Sequence, residues 1–217
     1  MNYDVIIIGA GPGGIFAAYE LMQRNPALKV AVFEAGHELS KRSCPIDGEK
    51  IKTCIGCKSC SIMSGFGGAG AFSDGKYNIT NQFGGTLYEY IGKQEALDLM
   101  HYVDEINLAY GGEGTKLYST ANTAIKKQCL QSGLHLLDAS VRHLGTDVNY
   151  IVLENLYNLL KDKVEFHFNT PAAKVEKTEN GYRFGFEKLH RFVALCQKIG
   201  VERFEISIEF IEQVYQF

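Results

Sequence analysis

The sequence predicts an α/β fold with a parallel β-sheet near its amino-terminal end. Residues 3–8 form an apolar, β-branched run without polar alternation, which is typical of a strand buried on both faces. A glycine-rich turn follows, and residues 15–24 then carry apolar side chains at helical spacing before Asn25-Pro26 ends the helix. Residues 29–34 form a second apolar run. This order of strand, helix and strand predicts a βαβ unit with a right-handed crossover.

The overall composition indicates a globular protein and excludes several other classes. The 217 residues are 46% hydrophobic and 22% charged, with a formal net charge of −3, unlike a disordered chain, a collagen or a basic nucleic-acid binder. The apolar run at residues 5–8 is far too short to span a bilayer, and no Lys/Arg-rich signal segment precedes it. We therefore expect a cytoplasmic protein with no nucleic-acid or membrane partner, acting on a small molecule or with a redox partner.

The remainder of the chain predicts a long loop followed by helices and short strands. Residues 36–85 contain much Gly, Ser and Cys with little periodicity, which favours a long functional loop. Asp147 is the expected N-cap of a later helix, and Asn180-Gly181 is a hairpin signal. The predicted elements are helices at 95–108, 119–132 and 147–161, strands at 134–141 and 164–168, and a hairpin of 172–177 and 182–186.

The turn after the first strand carries the spacing of a dinucleotide-binding motif. Gly9, Gly11 and Gly14 supply G-x-G-x-x-G, with Pro12 and Gly13 in the variable positions. The first glycine permits a tight turn, the second lets a pyrophosphate approach the backbone, and the third allows close packing of helix and strand. Backbone N–H groups at the start of the helix would then face the phosphates. The competing interpretation is a glycine-rich turn in an unrelated α/β protein.

Glu34 extends this motif. It ends the second strand, 20 residues after Gly14, where a carboxylate accepts a hydrogen bond from the adenosine ribose and repels a 2′-phosphate. This position favours FAD or NAD over NADP, although a solvated carboxylate at a strand end would give the same pattern. The long loop, the later strand and the hairpin favour a Rossmann-like FAD-binding domain of the glutathione-reductase type, a parallel sheet with a β-meander. In such a domain, Ala172 would lie near the adenine.

Three segments together make the chain similar to a known family. They are residues 4–12, residues 67–76 with the sequence Gly-Gly-Ala-Gly-Ala-Phe-Ser-Asp-Gly-Lys, and residues 142–147. Through them, residues 1–183 resemble the amino-terminal part of a family of bacterial FAD-dependent dehydrogenases, most of them uncharacterised. The resemblance implies bound FAD and oxidoreductase chemistry, without identifying a substrate.

The segment at residues 67–76 is the expected approach to the flavin ring. Its glycines would let the main chain lie against the ring, while Ser73 and Lys76 would provide hydrogen bonds or positive charge where the reduced flavin becomes negative. Arg42 is expected near the ribose or pyrophosphate. His143 and Lys76 are the catalytic candidates, with a structural histidine and a solvated lysine as the alternatives. The predicted cofactor-binding residues are Gly9, Gly11, Pro12, Gly13, Gly14, Glu34, Arg42, Gly67, Gly68, Ala69, Gly70, Ser73, Lys76 and Ala172.

Four cysteines fall within the predicted loop. Cys44 is followed by Cys54, Cys57 and Cys60, and the last three are separated by two residues each. Such spacing is typical of zinc and iron–sulfur loops. A dithiol coupled to the flavin and free thiols in a flexible loop are the alternative interpretations. A metal or iron–sulfur site would use all four.

Past residue 183 the resemblance ends. We expect an FAD-binding domain at 1–183, with the loop and cysteine segment at 36–85 and a mainly helical insertion at about 86–133. The remaining 184–217 would form an atypical tail, with a helix at 187–200 and a strand at 204–210. The simplest account is a truncated or rearranged gene product with an incomplete fold. The predicted function is FAD-dependent hydride or electron transfer. The alternatives are a truncated non-catalytic dinucleotide-binding module and an NAD-binding domain.

Overall fold

A computed structural model describes residues 2–179, 181–186 and 189–195, and for Thr123, Phe186 and 189–195 it describes the backbone alone. The chain forms two compact units. The first contains the residues up to Ala71 and those from Leu156 onward, and the second contains Phe72–Asn155. No helix among the described residues has both the length and the apolar character needed to cross a bilayer.

The first unit is built on a parallel sheet. Strand β1 (Val5–Ile8) pairs with β2 (Val30–Phe33), from Val5 opposite Val30 to Ile8 opposite Phe33. Helix α1 (Pro12–Arg24) connects them, and β6 (Glu165–His167) lies parallel to β2 on its other side. All four residues of β2 are buried, as its unbroken apolar run predicts. The predicted βαβ unit and parallel sheet are confirmed.

An antiparallel three-stranded sheet follows in the same unit. Strand β7 (Ala172–Thr178) pairs with β8 (Gly181–Phe186), which confirms the predicted hairpin. Strand β9 (Leu189–Leu195) then pairs with β8, so the helix predicted at 187–200 is wrong over 189–195. The exposed edge of β8 offers backbone hydrogen bonds to the next segment, and this pairing outweighs the helical spacing of the apolar residues. The rest of that predicted helix and the strand at 204–210 lie outside the described residues.

This antiparallel sheet packs against the parallel one through aromatic side chains. Phe184 of β8 is buried with Tyr3, Ala31 and Phe33 in one hydrophobic cluster. The ring of Phe33 also stacks on His167 with centroids 4.4 Å apart. Ala172, at the start of β7, lies at the edge of this cluster, and so the end of β2 and the start of β7 are near each other.

The second unit combines a small antiparallel sheet with helices. The sheet has the order β3 (Lys76–Ile79), β5 (Ser140–His143) and β4 (Leu117–Ser119). The helices are α2 (Leu87–Ile91), α3 (Lys93–Asn107), α4 (Thr123–Gln131) and α5 (Thr146–Leu160), and the last runs across the boundary between the units. Helix α5 begins at Thr146, which places Asp147 in its first turn instead of at the N-cap. The strand predicted at 134–141 occupies 140–143.

Candidate nucleotide-binding site

The turn between β1 and α1 presents backbone donors at a helix N-terminus. Gly9 has φ +94°, a conformation open to glycine and strained for other residues. Gly11 is the N-cap, Pro12 opens the helix, and no described side chain caps α1 or places a carboxylate in its first turn. The N–H groups that begin a helix lack partners within it and favour an anion. This end of α1 is therefore suited to a phosphate.

Gly14 allows α1 to approach β1 closely. A Cβ atom at this position would collide with the carbonyl oxygen of Gly9 and lie 3.2 Å from Cγ2 of Ile7. Gly14 and the adjacent Ile15 are both buried. The structure thus shows why the third glycine of the motif is needed: any side chain would push the helix, and its N–H groups, away from the strand.

Glu34 is buried at the end of β2, with 6% of its surface exposed. Its Oε2 accepts a hydrogen bond of 2.7 Å from the N–H of Ala10, and its Oε1 accepts from the N–H groups of Gly36 at 2.7 Å and Gly65 at 2.9 Å. Three neutral N–H donors compensate the loss of hydration of the charge. Because two carboxylate oxygens offer about four acceptor positions, one position is available to a hydroxyl donor.

A cavity of about 360 Å³ lies beside Glu34. Four predicted site residues line it, namely Gly9, Glu34, Gly68 and Ala172. Sequence reasoning did not identify the residues of the loop and of the approach to β7 that complete the wall. These are Met63, Ser64, Gly65 and Pro171, together with Ile8, Phe33 and Ala35 at the ends of the strands. Their proximity depends on the path of the loop, for which the sequence carries no periodic signal.

Arg42 is buried, and its guanidinium donates hydrogen bonds to backbone carbonyl oxygens of residues 61–68. Burial lowers its pKa, an effect opposed by the negative charge of Glu34. The sequence predicted Arg42 beside the ribose or pyrophosphate. That contact stays a prediction, whereas the contacts with the loop are present in the structure.

The segment expected near the flavin ring divides between the two units. Gly67, with φ +87°, donates from its N–H to the carbonyl of Ala10 at 2.7 Å, and so lies directly against the glycine motif. Ala69 is exposed, whereas Gly70 is half-buried and a Cβ there would meet only Pro12 Cγ, at 3.9 Å. Ser73 belongs to the second unit, where its hydroxyl accepts a hydrogen bond of 3.1 Å from the N–H of Gly75.

Lys76 and His143 face each other across β3 and β5 of the second unit, and both are exposed. Lys76 Nζ lies 2.9 Å from Asp74 Oδ2. The hydrogen bond and charge of Lys76, with a smaller contribution from His143, lower the pKa of Asp74. Catalytic roles for Lys76 and His143 stay predictions.

The cysteine segment does not form the metal site considered from its spacing. Cys54, Cys57 and Cys60 are exposed and Cys44 is half-buried, all as free thiols. Across the described part of the chain, no three side chains of His, Cys, Asp or Glu gather in a way that would hold a metal ion. The segment has no regular element to direct its thiols toward one point. An iron–sulfur or zinc site at these four residues has no support from the structure.

Comparison with protein families gives a match at the amino-terminal end. The Thi4 family matches residues 1–41, a range that contains the whole glycine motif, α1, β2 and Glu34. No curated protein matches this chain.

Comparison with solved structures gives distant similarities. A glycine oxidase from Geobacillus kaustophilus is 15% identical, with a TM-score of 0.47. The match covers 89% of this chain and 53% of the oxidase chain. NikD, an unusual amino acid oxidase of nikkomycin biosynthesis, is 12% identical, with a TM-score of 0.45. The match covers 94% of this chain and 54% of NikD. PqsL, a probable FAD-dependent monooxygenase from Pseudomonas aeruginosa, is 13% identical with a TM-score of 0.41, over 90% and 41%. This chain spans about half the length of NikD and of the glycine oxidase.

Proposed function

We propose that the first unit binds the ADP part of FAD and that the protein is a flavin-dependent oxidoreductase. The observation that carries this proposal is one cavity lined by both Gly9 and Glu34, with Gly9 in the turn that leads into the uncapped N-terminus of α1. The sequence resemblance to FAD-dependent dehydrogenases over residues 1–183 supports the choice of FAD. The match of the Thi4 family to residues 1–41 falls on the same elements.

The residues present fit the ADP group in three respects. The first N–H groups of α1 would receive the pyrophosphate, because no described side chain occupies them. The remaining acceptor position of Glu34 would receive a ribose hydroxyl, because its other positions are used by Ala10, Gly36 and Gly65. Ala172, which also lines the cavity, would border the adenine. A 2′-phosphate would meet the buried negative charge of Glu34 and bind poorly.

The bound flavin would supply hydride or electron transfer, and the protein would position it. Within the first unit, Gly67, Gly68 and Gly70 would allow the backbone close to the ring. Ser73, Lys76 and His143 belong to the second unit, and the roles predicted for them in flavin chemistry stay predictions.

Ligand binding and an absorption spectrum test this proposal. Anaerobically purified protein should show flavin absorption that dithionite bleaches, or acquire it when FAD is added. By calorimetry, ADP-ribose should bind, and ADP-ribose 2′-phosphate should bind at least about tenfold more weakly, since 1.4 kcal/mol of repulsion gives that factor. Absence of heat with FAD, ADP and ADP-ribose would contradict nucleotide binding. A colourless protein that binds NAD instead would favour an NAD-binding domain, and bound FAD without turnover would favour a non-catalytic module.

A further inference from the structure

We propose that Arg42 is a positioning residue that holds one wall of the nucleotide cavity in place and thereby sets the affinity for the adenosine part of the ligand. This inference rests on the proposed function and assigns Arg42 a role other than phosphate contact. The wall is the segment 61–68, which we call the cavity loop.

The cavity loop is fixed to Arg42 at four carbonyl oxygens. Nε donates to Ser61 O at 2.9 Å and Nη2 donates to Ile62 O at 2.8 Å. Nη1 donates to Phe66 O and to Gly68 O, both at 2.7 Å. The side chain is 6% exposed. A guanidinium has five N–H donors in a planar fork, and at least four of them are used on one loop.

The same loop forms the wall of the cavity. Met63, Ser64, Gly65 and Gly68 line it, whereas Arg42 does not. Gly65 also donates its N–H to Glu34 Oε1 at 2.9 Å. The negative Glu34 therefore accepts a hydrogen bond from an N–H group of the loop, while the positive Arg42 donates hydrogen bonds to the carbonyl oxygens of the same loop. Displacing the loop would open the wall and remove one of the donors that orient Glu34.

Direct contact with a phosphate and support of the wall make different predictions. A phosphate contact contributes only to ligands that carry a phosphate. Support of the wall raises the affinity for every ligand that contains adenosine. Loss of Arg42 would change the cavity beside Glu34, whatever group is attached to the ribose. A comparison of adenosine with ADP separates the two roles.

The experiment uses the full chain with Arg42→Ala, Arg42→Lys and the control Arg24→Ala. Arg24 is exposed on α1 and pairs with Glu20 at 2.9 Å, so its loss should leave binding unchanged. Calorimetry should show that Arg42→Ala binds adenosine and ADP more weakly than the wild type, and by the same factor for both. The expected factor is about ten or more, and each factor of ten corresponds to 1.4 kcal/mol. Amide hydrogen exchange within 61–68 should accelerate in Arg42→Ala and not in Arg24→Ala.

Chemical rescue distinguishes this role from general destabilisation. Millimolar ethylguanidinium should restore adenosine affinity and slow exchange in Arg42→Ala, while ethylammonium at the same concentration should not, since an ammonium cannot span the carbonyls of the loop. If Arg42→Ala does not fold, Arg42→Lys should show the equal loss for both ligands and the faster loop exchange.

Two outcomes would overturn the role of Arg42. One is a loss confined to ADP with unchanged exchange in 61–68, and the other is unchanged binding of both ligands. A wild-type protein that binds neither ligand overturns the proposed function instead, and the exchange measurement then decides alone whether Arg42 holds the loop.

Discussion

Glu34 Oε2 accepts a hydrogen bond of 2.7 Å from the backbone N–H of Ala10, so the end of β2 is tied directly to the turn that follows β1. The other carboxylate oxygen is tied to Gly36 and Gly65. The residue that the sequence indicates as a ribose ligand is thus also the point at which three backbone segments are joined. Its substitution should affect both the fold and the ligand.

Glu34→Ala should lower the free energy of unfolding by about 3 kcal/mol or more, because three buried N–H donors would lose their acceptor at about 1–3 kcal/mol each. Urea unfolding followed by circular dichroism measures this change. Glu20→Ala is the matched control, since Glu20 pairs with the exposed Arg24 on α1 and the loss of such a pair should cost less than about 1 kcal/mol. Similar stabilities for the two variants would show that the Glu34 contacts contribute little.

Gly14→Ala should destabilise the first unit, because the added Cβ would collide with the Gly9 carbonyl. Overpacking of this kind costs about 1–3 kcal/mol, and the displaced helix should also bind nucleotide more weakly. Gly70→Ala is the comparison for stability alone, since the contact found for its Cβ is Pro12 Cγ at 3.9 Å. Thermal unfolding of both variants measures the difference in stability, and ADP calorimetry compares Gly14→Ala with the wild type. Equal unfolding temperatures for the two variants would mean that α1 can shift without loss of stability.

The βαβ unit could be predicted because its signals are local. A continuous apolar run, a glycine turn, a helical repeat and a second apolar run each specify one element, and the crossover follows from chain geometry. The fit of Gly14 against Gly9 is also implied by the motif spacing. These features depend on residues that are close in sequence.

Other features could not be predicted because they depend on distant partners. Strand β9 forms where the edge of β8 is available, so its helical apolar spacing is misleading. The contacts of Arg42 with residues 61–68 require the fold of an irregular loop. A lone arginine after Glu34 carries no sequence signal that distinguishes a carbonyl partner from a phosphate.

In the second unit, Arg142 and Asp104 form a buried ion pair, with Nε to Oδ1 at 2.6 Å and Nη2 to Oδ2 at 2.8 Å. Arg142→Leu should lower the free energy of unfolding by about 3–5 kcal/mol, because it leaves a buried carboxylate without its partner. Combining it with Asp104→Leu should recover much of that loss. A double-mutant cycle measured by urea unfolding tests this, and purely additive losses would indicate that the two charges do not depend on each other.

The contribution of Tyr77 to the free energy of unfolding should decrease as the pH is raised into the alkaline range. Burial, with a smaller contribution from the charge of Asp104, raises the pKa of Tyr77, and its hydroxyl donates to Asn149 Oδ1 at 2.9 Å. A phenol whose pKa is raised on folding stabilises the protein fully below the unfolded pKa of about 10 and loses this contribution as pH rises above it. The free energy of unfolding of the wild type should therefore be about 1 kcal/mol higher than that of Tyr77→Phe at pH 8. This difference in stability should become smaller from about pH 10 upward. A gap that stays constant or widens over that range would contradict the assignment.

The exposed thiols of the cysteine segment should be chemically accessible. Cys54, Cys57 and Cys60 are exposed, whereas Cys44 and Cys129 are half-buried, and access is one of the conditions for thiol reactivity. Iodoacetamide labelling followed by peptide mass spectrometry should modify the first three before the other two, and 6 M urea, on the order of full denaturation for a small domain, should remove the difference. Labelling that stays slow at Cys54, Cys57 and Cys60 until a reductant or a chelator is added would show that these thiols are joined to each other or to a metal. The exposed, separate thiols of the structure would then describe only the unmodified form of this segment.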